Sequence, residues 1–137
     1  MDTLFERVEA DQLVVVSGIR VWSLCEHHIL PFYCDIAIGY IASGAVLGLS
    51  KFGRIAHAYA HRLQIQEQLV QQIADEVQAM TLSPDVAVLA SGVHLCMVMR
   101  GIKTPALMTS SIMRGCFRES DSARQEFLSL ARLPVPL

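Results

Sequence analysis

Cys25-Glu26-His27-His28 and His94-Leu95-Cys96 hold most of the chemical information in this chain. Cys25 and His28 have C-x-x-H spacing, which lets a tight turn aim a thiolate and an imidazole at one point. Cys96 can supply a third ligand from a remote segment. Two thiolates and one imidazole suit Zn²⁺, and three protein ligands leave a coordination position open for water. His27 and His94 stand beside these ligands with no ligand role of their own. Zinc brings the pKa of bound water toward about 7, where an imidazole also exchanges protons. The implied reaction class is hydrolytic attack on an electrophilic carbon, or hydration of a C=N bond.

A second group of residues is suited to anions. Lys51 and Arg54 share a helix face just after Ser50, where a helix is expected to begin. Free backbone N–H groups and the helix dipole would add to the two cations in holding a phosphate. The same two side chains also fit an ordinary solvated helix face. Arg62 and Arg100 are further cations that the fold could bring to the same place. Glu67 opens the next helical stretch, where a carboxylate balances the dipole or accepts from paired donors such as guanine N1–H and its exocyclic amine. His57 and His61 lack a nearby carboxylate or cysteine to complete a second metal set, and exposed side chains are expected there.

The elements that must position these groups follow from periodicity. Leu13 to Leu24 is rich in Val and Ile and reads as a strand, interrupted near Ser17-Gly18. Phe32 to Ala42 is a second strand, with Ser43-Gly44 as its turn exit. The pair is antiparallel, and its connection contains the Cys-Glu-His-His turn, which Pro31 helps to end. From Ser50 as N-cap, Phe52, Ile55, Ala56, Tyr59 and Leu63 repeat at helical spacing. Leu69, Ile73, Val77 and Met80 continue the pattern as one long helix or two in series, ending before Ser83-Pro84. Strand character returns over 86–99 and 106–117. In the first of these, Gly92, His94 and Cys96 fall on one face. Asp121 to Leu130 reads as a terminal helix, with capping-box spacing from Ser122 to Gln125. Antiparallel strand pairs with helices grouped between them predict an α+β fold, as one domain over 1–137.

Composition narrows the functional classes. A chain of 137 residues, 53% hydrophobic and 18% charged, is enough for one compact domain with a core. A net charge of -2 argues against a general nucleic-acid binder but leaves room for a local basic cluster. No apolar run approaches the roughly 18–20 residues needed to cross a bilayer. The N-terminus, with Asp2, Glu6 and Glu9, does not read as a secretory signal. The mean hydropathy of +0.41 is high for a domain of this size, and extensive subunit contact is the expected cause. Four cysteines without regular spacing are not a disulfide framework. Free thiolates at Cys25 and Cys96 call for a reducing, cytoplasmic setting, with Cys34 and Cys116 as small core residues.

Taken together, these residues resemble GTP cyclohydrolase I from about Leu13 to the C-terminus. The resemblance rests on Cys25-Glu26-His27-His28 with Leu30-Pro31-Phe32, on Leu47-Gly48-Leu49-Ser50-Lys51, and on Arg62-Leu63-Gln64-Ile65-Gln66-Glu67. His94-Leu95-Cys96-Met97-Val98-Met99-Arg100-Gly101 and Arg124-Gln125-Glu126-Phe127-Leu128 complete it. It implies the tunnelling fold (T-fold), an antiparallel sheet with helices packed on one face. Oligomerisation joins such sheets into a barrel, usually in a decamer of two pentameric rings with active sites at subunit boundaries. It further implies that Cys25, His28 and Cys96 hold Zn²⁺ and that His27 and His94 act as acid/base groups. Glu67, aided by Gln66, would read the guanine edge, and Ser50, Lys51, Arg54 and Arg100 would bind the triphosphate.

The implied reaction opens the imidazole ring of GTP by adding water at C8. Formate is then released, and ribose rearrangement forms 7,8-dihydroneopterin triphosphate. The alternatives are a related zinc enzyme opening another purine nucleotide and a non-catalytic zinc-containing scaffold. The chain departs from the family pattern in two places. Only about a dozen residues precede the first strand, where members usually carry a longer helical region. Gln68 also stands where the family commonly has Arg. Both departures bear on the triphosphate rather than on the zinc chemistry.

Overall fold

The computed structural model describes residues 4–6, 12–42, 45–99 and 106–133. Its strands are β1 (Leu4–Glu6), β2 (Gln12–Cys25), β3 (Pro31–Ala42), β4 (Ala45–Leu47), β5 (Leu63–Gln64), β6 (Val86–His94) and β7 (Leu107–Met113). Its helices are α1 (Leu49–Ala60), α2 (Gln66–Thr81), α3 (Leu95–Met99), α4 (Cys116–Glu119) and α5 (Asp121–Ala131). The main sheet has the order β5-β2-β3-β6-β7, and β1 pairs with β4 in a separate two-stranded sheet. Every neighbour in the main sheet is antiparallel except β5, which runs parallel to the end of β2.

Alternation along the strands divides the core between two faces. Val21, Cys34, Ile36, Ile38, Tyr40, Val86, Val88 and Ala90 point toward Phe52, Ile55 and Ala56 of α1 and Leu69, Ile73 and Val77 of α2. Each fully buried large apolar side chain here contributes about 1.5–3 kcal/mol relative to exposure. The two long helices thus lie on one face, as expected. The terminal helix covers one end of the other face, where Phe117 and Phe127 pack with Ala37 and Ala87. Gly39 makes that approach feasible, because a Cβ there would sit 2.5 Å from the Phe127 ring. The expected break at Ser17-Gly18 is a register shift between Val16 and Ile19, with Gly18 at φ 76°.

Several expected boundaries move. The helical block is two helices separated at 61–65, and Leu63 is exposed in β5 instead of lying on a buried helix face. Gly48, not Ser50, is the N-cap of α1. Leu47 is buried and its amide donates to Tyr40 Oη at 2.7 Å, so the chain must coil at once to bring Phe52 into the core. The strand expected over 86–99 stops at His94, opposite Phe32. β3 begins at Pro31, which has no N–H, so no ladder is available beyond His94 and the chain coils into α3. The strand expected over 106–117 likewise stops at Met113, before Gly115 at φ 63° and α4. Ser120 rather than Ser122 caps α5, accepting from the Ala123 amide at 3.3 Å. The Ser43-Gly44 turn lies outside the described residues. Among the described residues, no helix is long and apolar enough to cross a membrane.

Candidate metal centre and adjoining site

Cys25 is the last residue of β2, and the chain reverses directly after it. The Cys25 amide donates to the Leu30 carbonyl, and the Ile29 amide donates to the Cys25 carbonyl, both at 2.8 Å. Closing the turn this tightly leaves Ile29 at φ 53°, a left-handed conformation costly for a β-branched residue. The Glu26 amide adds a bond to the Gln64 carbonyl at 2.8 Å. C-x-x-H spacing on this frame brings Cys25 Sγ to 3.7 Å from His28 Nδ1. Cys96 arrives from α3, and the donor atoms of Cys25, His28 and Cys96 all lie within 4.8 Å of one another. Among the described residues, no other set of three His, Cys, Asp or Glu side chains converges in this way.

The donor set fits zinc. With Zn–S near 2.3 Å and Zn–N near 2.1 Å, tetrahedral geometry places neighbouring donor atoms roughly 3.6–3.8 Å apart. The Cys96 thiol is pushed up, first by burial and then by Cys25 beside it. A divalent cation would reverse that balance by favouring both thiolates. Cys96 thus reaches Cys25 and His28 by way of the strand-to-helix turn that follows His94, rather than by sharing a strand face with it.

His94 is buried at the end of β6, stacked on Phe32 with ring centroids 4.3 Å apart and planes 5° from parallel. Its Nε2 lies 2.8 Å from Gln66 Oε1. Burial lowers the His94 pKa, and the nearby Glu67 carboxylate opposes that shift. His27 is exposed on the turn, its ring 6.3 Å from that of His28. Glu67 is exposed in the first turn of α2, whereas Gln66 is fully buried. Ser50 and Arg54 are exposed on α1, and Lys51 is half-buried there. Arg100 lies outside the described residues. Arg62 is exposed, with its guanidinium carbon 5.1 Å from the centroid of the Tyr59 ring. His57 and His61 are both exposed, their rings 5.4 Å apart. Cys34 is buried, and its thiol is pushed up to about 12 by burial. Cys116 packs at the edge of the second core cluster.

Sequence reading missed Phe32 and Gln64. Gln64 in β5 and Gln66 at the start of α2 both prove buried, and the helical reading of this stretch carried no signal for it. A cleft of about 440 Å³, lined by Trp22, Leu24, Pro31, Arg62 and Leu63 among others, adjoins the metal turn.

The sequence pattern of GTP cyclohydrolase I matches residues 1–132 of this chain. The chain belongs to the GTP cyclohydrolase I family. It is 51% identical over 128 residues to GTP cyclohydrolase 1 of Pseudoalteromonas atlantica, covering 93% of this chain and 69% of that protein. It is 51% identical over 118 residues to GTP cyclohydrolase 1 of Hyperthermus butylicus, covering 86% of this chain and 61% of that protein. For Methylococcus capsulatus GTP cyclohydrolase 1 the figures are 48% over 130 residues, with 94% and 70% covered. The chain thus spans about two thirds of the length of these curated relatives. Among solved structures, the archaeosine synthase QueF-Like in its apo form has a TM-score of 0.60 at 21% identity, covering 75% of this chain and 95% of that one. E. coli dihydroneopterin aldolase, solved with neopterin, also has a TM-score of 0.60, at 15% identity, covering 76% and 99%. These two likenesses concern the fold, and this member of the GTP cyclohydrolase I family has the tunnelling fold.

Proposed function

We propose that this chain is the catalytic domain of a zinc-dependent GTP cyclohydrolase that hydrolyses GTP to formate and 7,8-dihydroneopterin triphosphate. The observation that carries this reading is the convergence of Cys25, His28 and Cys96, with a buried His94 two residues before Cys96 in the chain. Zinc held by those three residues would lower the pKa of a coordinated water toward about 7. Glu67 would accept from guanine N1–H and the exocyclic amine, and its place in the chain beside Gln66 would keep the purine near His94. His94 and His27 would move protons to and from the imidazole nitrogens of the substrate as the ring opens. Ser50, Lys51, Arg54 and Arg100 would meet the triphosphate, three of them in the first turns of α1, where backbone N–H groups favour anions.

Large apolar side chains remain uncovered on this chain: Trp22 is 52% exposed, Leu49 74% and Leu107 67%. They support a homo-oligomer, read here as a decamer of two pentameric rings, which equilibrium sedimentation would test. The setting proposed is cytoplasmic, since zinc binding requires Cys25 and Cys96 as free thiols. The decisive experiment incubates zinc-loaded protein with GTP and follows formate and, after oxidation, a fluorescent pterin. Absence of turnover from micromolar to millimolar GTP would overturn the proposal. Gln68 is exposed on α2, and a neutral side chain where the family commonly has Arg favours a second reading, ring opening of a purine nucleotide with fewer phosphates. Mass spectrometry of products from GTP, GMP and guanosine separates the two.

A further inference from the structure

Gln66 opens α2 with its side chain fully buried. Its Nε2 faces three acceptors: the carbonyls of Ala90 at 3.2 Å and Met108 at 3.1 Å, and Ser110 Oγ at 3.1 Å. Its Oε1 faces His94 Nε2 at 2.8 Å. Main-chain carbonyls accept and never donate, so the amide nitrogen of Gln66 must be the atom that faces them. Turning the carboxamide over would set its oxygen against two carbonyl oxygens inside the core. With that orientation fixed, Oε1 faces the histidine and can only accept. The hydrogen between the two residues therefore belongs to His94 Nε2, and the neutral imidazole carries its lone pair on Nδ1.

Two neighbours support the arrangement. Phe32 holds the plane of the His94 ring by stacking, while Gln66 selects which edge of the ring faces inward. Gly92 leaves space for the carboxamide, since a Cβ there would stand 3.1 Å from Gln66 Oε1 and 2.4 Å from the Tyr33 carbonyl oxygen.

We propose that Gln66 is a positioning residue that holds His94 as the Nε2–H tautomer, making Nδ1 the nitrogen that takes up and returns the proton. The catalytic half of this statement rests on the function proposed above, while the tautomer rests on hydrogen bonding alone. It also changes the role expected of Gln66 from the sequence. Its amide hydrogens and its oxygen are already committed within the protein, so Glu67 is left to read the guanine edge without it.

The test uses zinc-loaded protein labelled with ¹⁵N-histidine, in which long-range ¹H–¹⁵N correlation reports the tautomer of each ring. His94→Ala identifies the His94 signals. The expected wild-type result is a protonated Nε2 and an unprotonated Nδ1 at neutral pH. In the neutral ring, a hydrogen on Nδ1 in place of Nε2 overturns the proposal whether or not any variant folds. In Gln66→Met, which keeps the length of the side chain and removes the acceptor, the His94 signals should move toward a tautomer mixture. The kcat for GTP should fall about tenfold or more with little change in KM. Unchanged His94 signals, or a raised KM with unchanged kcat, would overturn it. The expected tautomer in a wild-type protein that turns over no GTP would support the positioning and sink the reaction instead.

Discussion

The amide of Glu26 donates to the carbonyl of Gln64 across 2.8 Å, fastening the C-x-x-H turn to the segment that leads into α2. The same two stretches pair in the sheet as Leu24 with Leu63 and Cys25 with Gln64. Gln64 is itself held from within, its Nε2 donating to the Tyr59 carbonyl at 2.8 Å and to Gln72 Oε1 at 2.7 Å. The candidate metal ligands at the end of β2 and the pair Gln66 and Glu67 at the start of α2 therefore share one scaffold.

That scaffold makes Gln64 a coupling point. Gln64→Leu removes two buried hydrogen bonds and should lower stability by about 1–3 kcal/mol in urea unfolding. Zinc affinity should weaken with it, because the turn carrying Cys25 and His28 loses its support. Zinc affinity matching the wild type, measured by competition with a chromophoric chelator, would show that the turn holds its shape without Gln64.

Zinc content should separate the proposed ligands from other histidines. Cys25→Ser, His28→Ala and Cys96→Ser should each lose zinc by more than the roughly 10–100-fold typical of outer-shell partners. His57→Ala and His61→Ala should retain it, since those exposed rings have no third donor among the described residues. Zinc at a hundred times its Kd should raise wild-type stability by about 2.7 kcal/mol, and the ligand variants should show no such gain. Full zinc content in Cys96→Ser would remove the remote ligand from the site.

The fold was legible wherever a local pattern had a single physical cause. The Val- and Ile-rich run gave β2, the apolar run from Phe32 gave β3, and the step from Phe52 to Ile55 and Ala56 gave α1. Tertiary pairing decided the rest. Nothing in His94-Leu95-Cys96 says that the strand ends there; that depends on Pro31 opposite, which ends the supply of ladder partners. The same holds for the cap of α1, where burial of Leu47 starts the helix ahead of Ser50. Cys25, His28 and Cys96 were visible as a group because ligand types at turn spacing are rare. The buried role of Gln66 was not visible, since its acceptors Ala90, Met108 and Ser110 come from β6 and β7, far along the chain.

Ile29 offers a test of strain in the metal turn. It is 65% exposed and held at φ 53°, so its side chain contributes little burial in this chain while its backbone is disfavoured. Ile29→Asn should raise stability by about 1 kcal/mol, because Asn tolerates the left-handed region better than a β-branched residue. Thermal unfolding of the zinc-loaded pair checks this, and a lower midpoint in the variant would mean that the isoleucine side chain is covered in the assembled protein.

Cys34 predicts how stability responds to alkali. Its thiol is fully buried in the core and pushed up to about 12 by burial, from an ordinary value of 9.0. Below pH 9 the folded and unfolded chains both keep this proton, and stability does not depend on it. Above pH 9 the unfolded chain releases the proton while the folded chain retains it, so rising pH favours unfolding. The loss is about 1.4 kcal/mol per pH unit until the folded thiol itself ionises. Tyr40 and Tyr59, whose hydroxyls are also pushed up, add their own alkaline losses in the same region, so wild type alone cannot isolate the thiol. Cys34→Ala keeps those tyrosines and removes the thiol, at a cost of about 1 kcal/mol near neutrality from the small cavity. Between pH 9 and 11 its stability should fall less steeply than that of the wild type, and the two curves should converge or cross. Parallel curves across that range would show that the thiol ionises equally easily in both states.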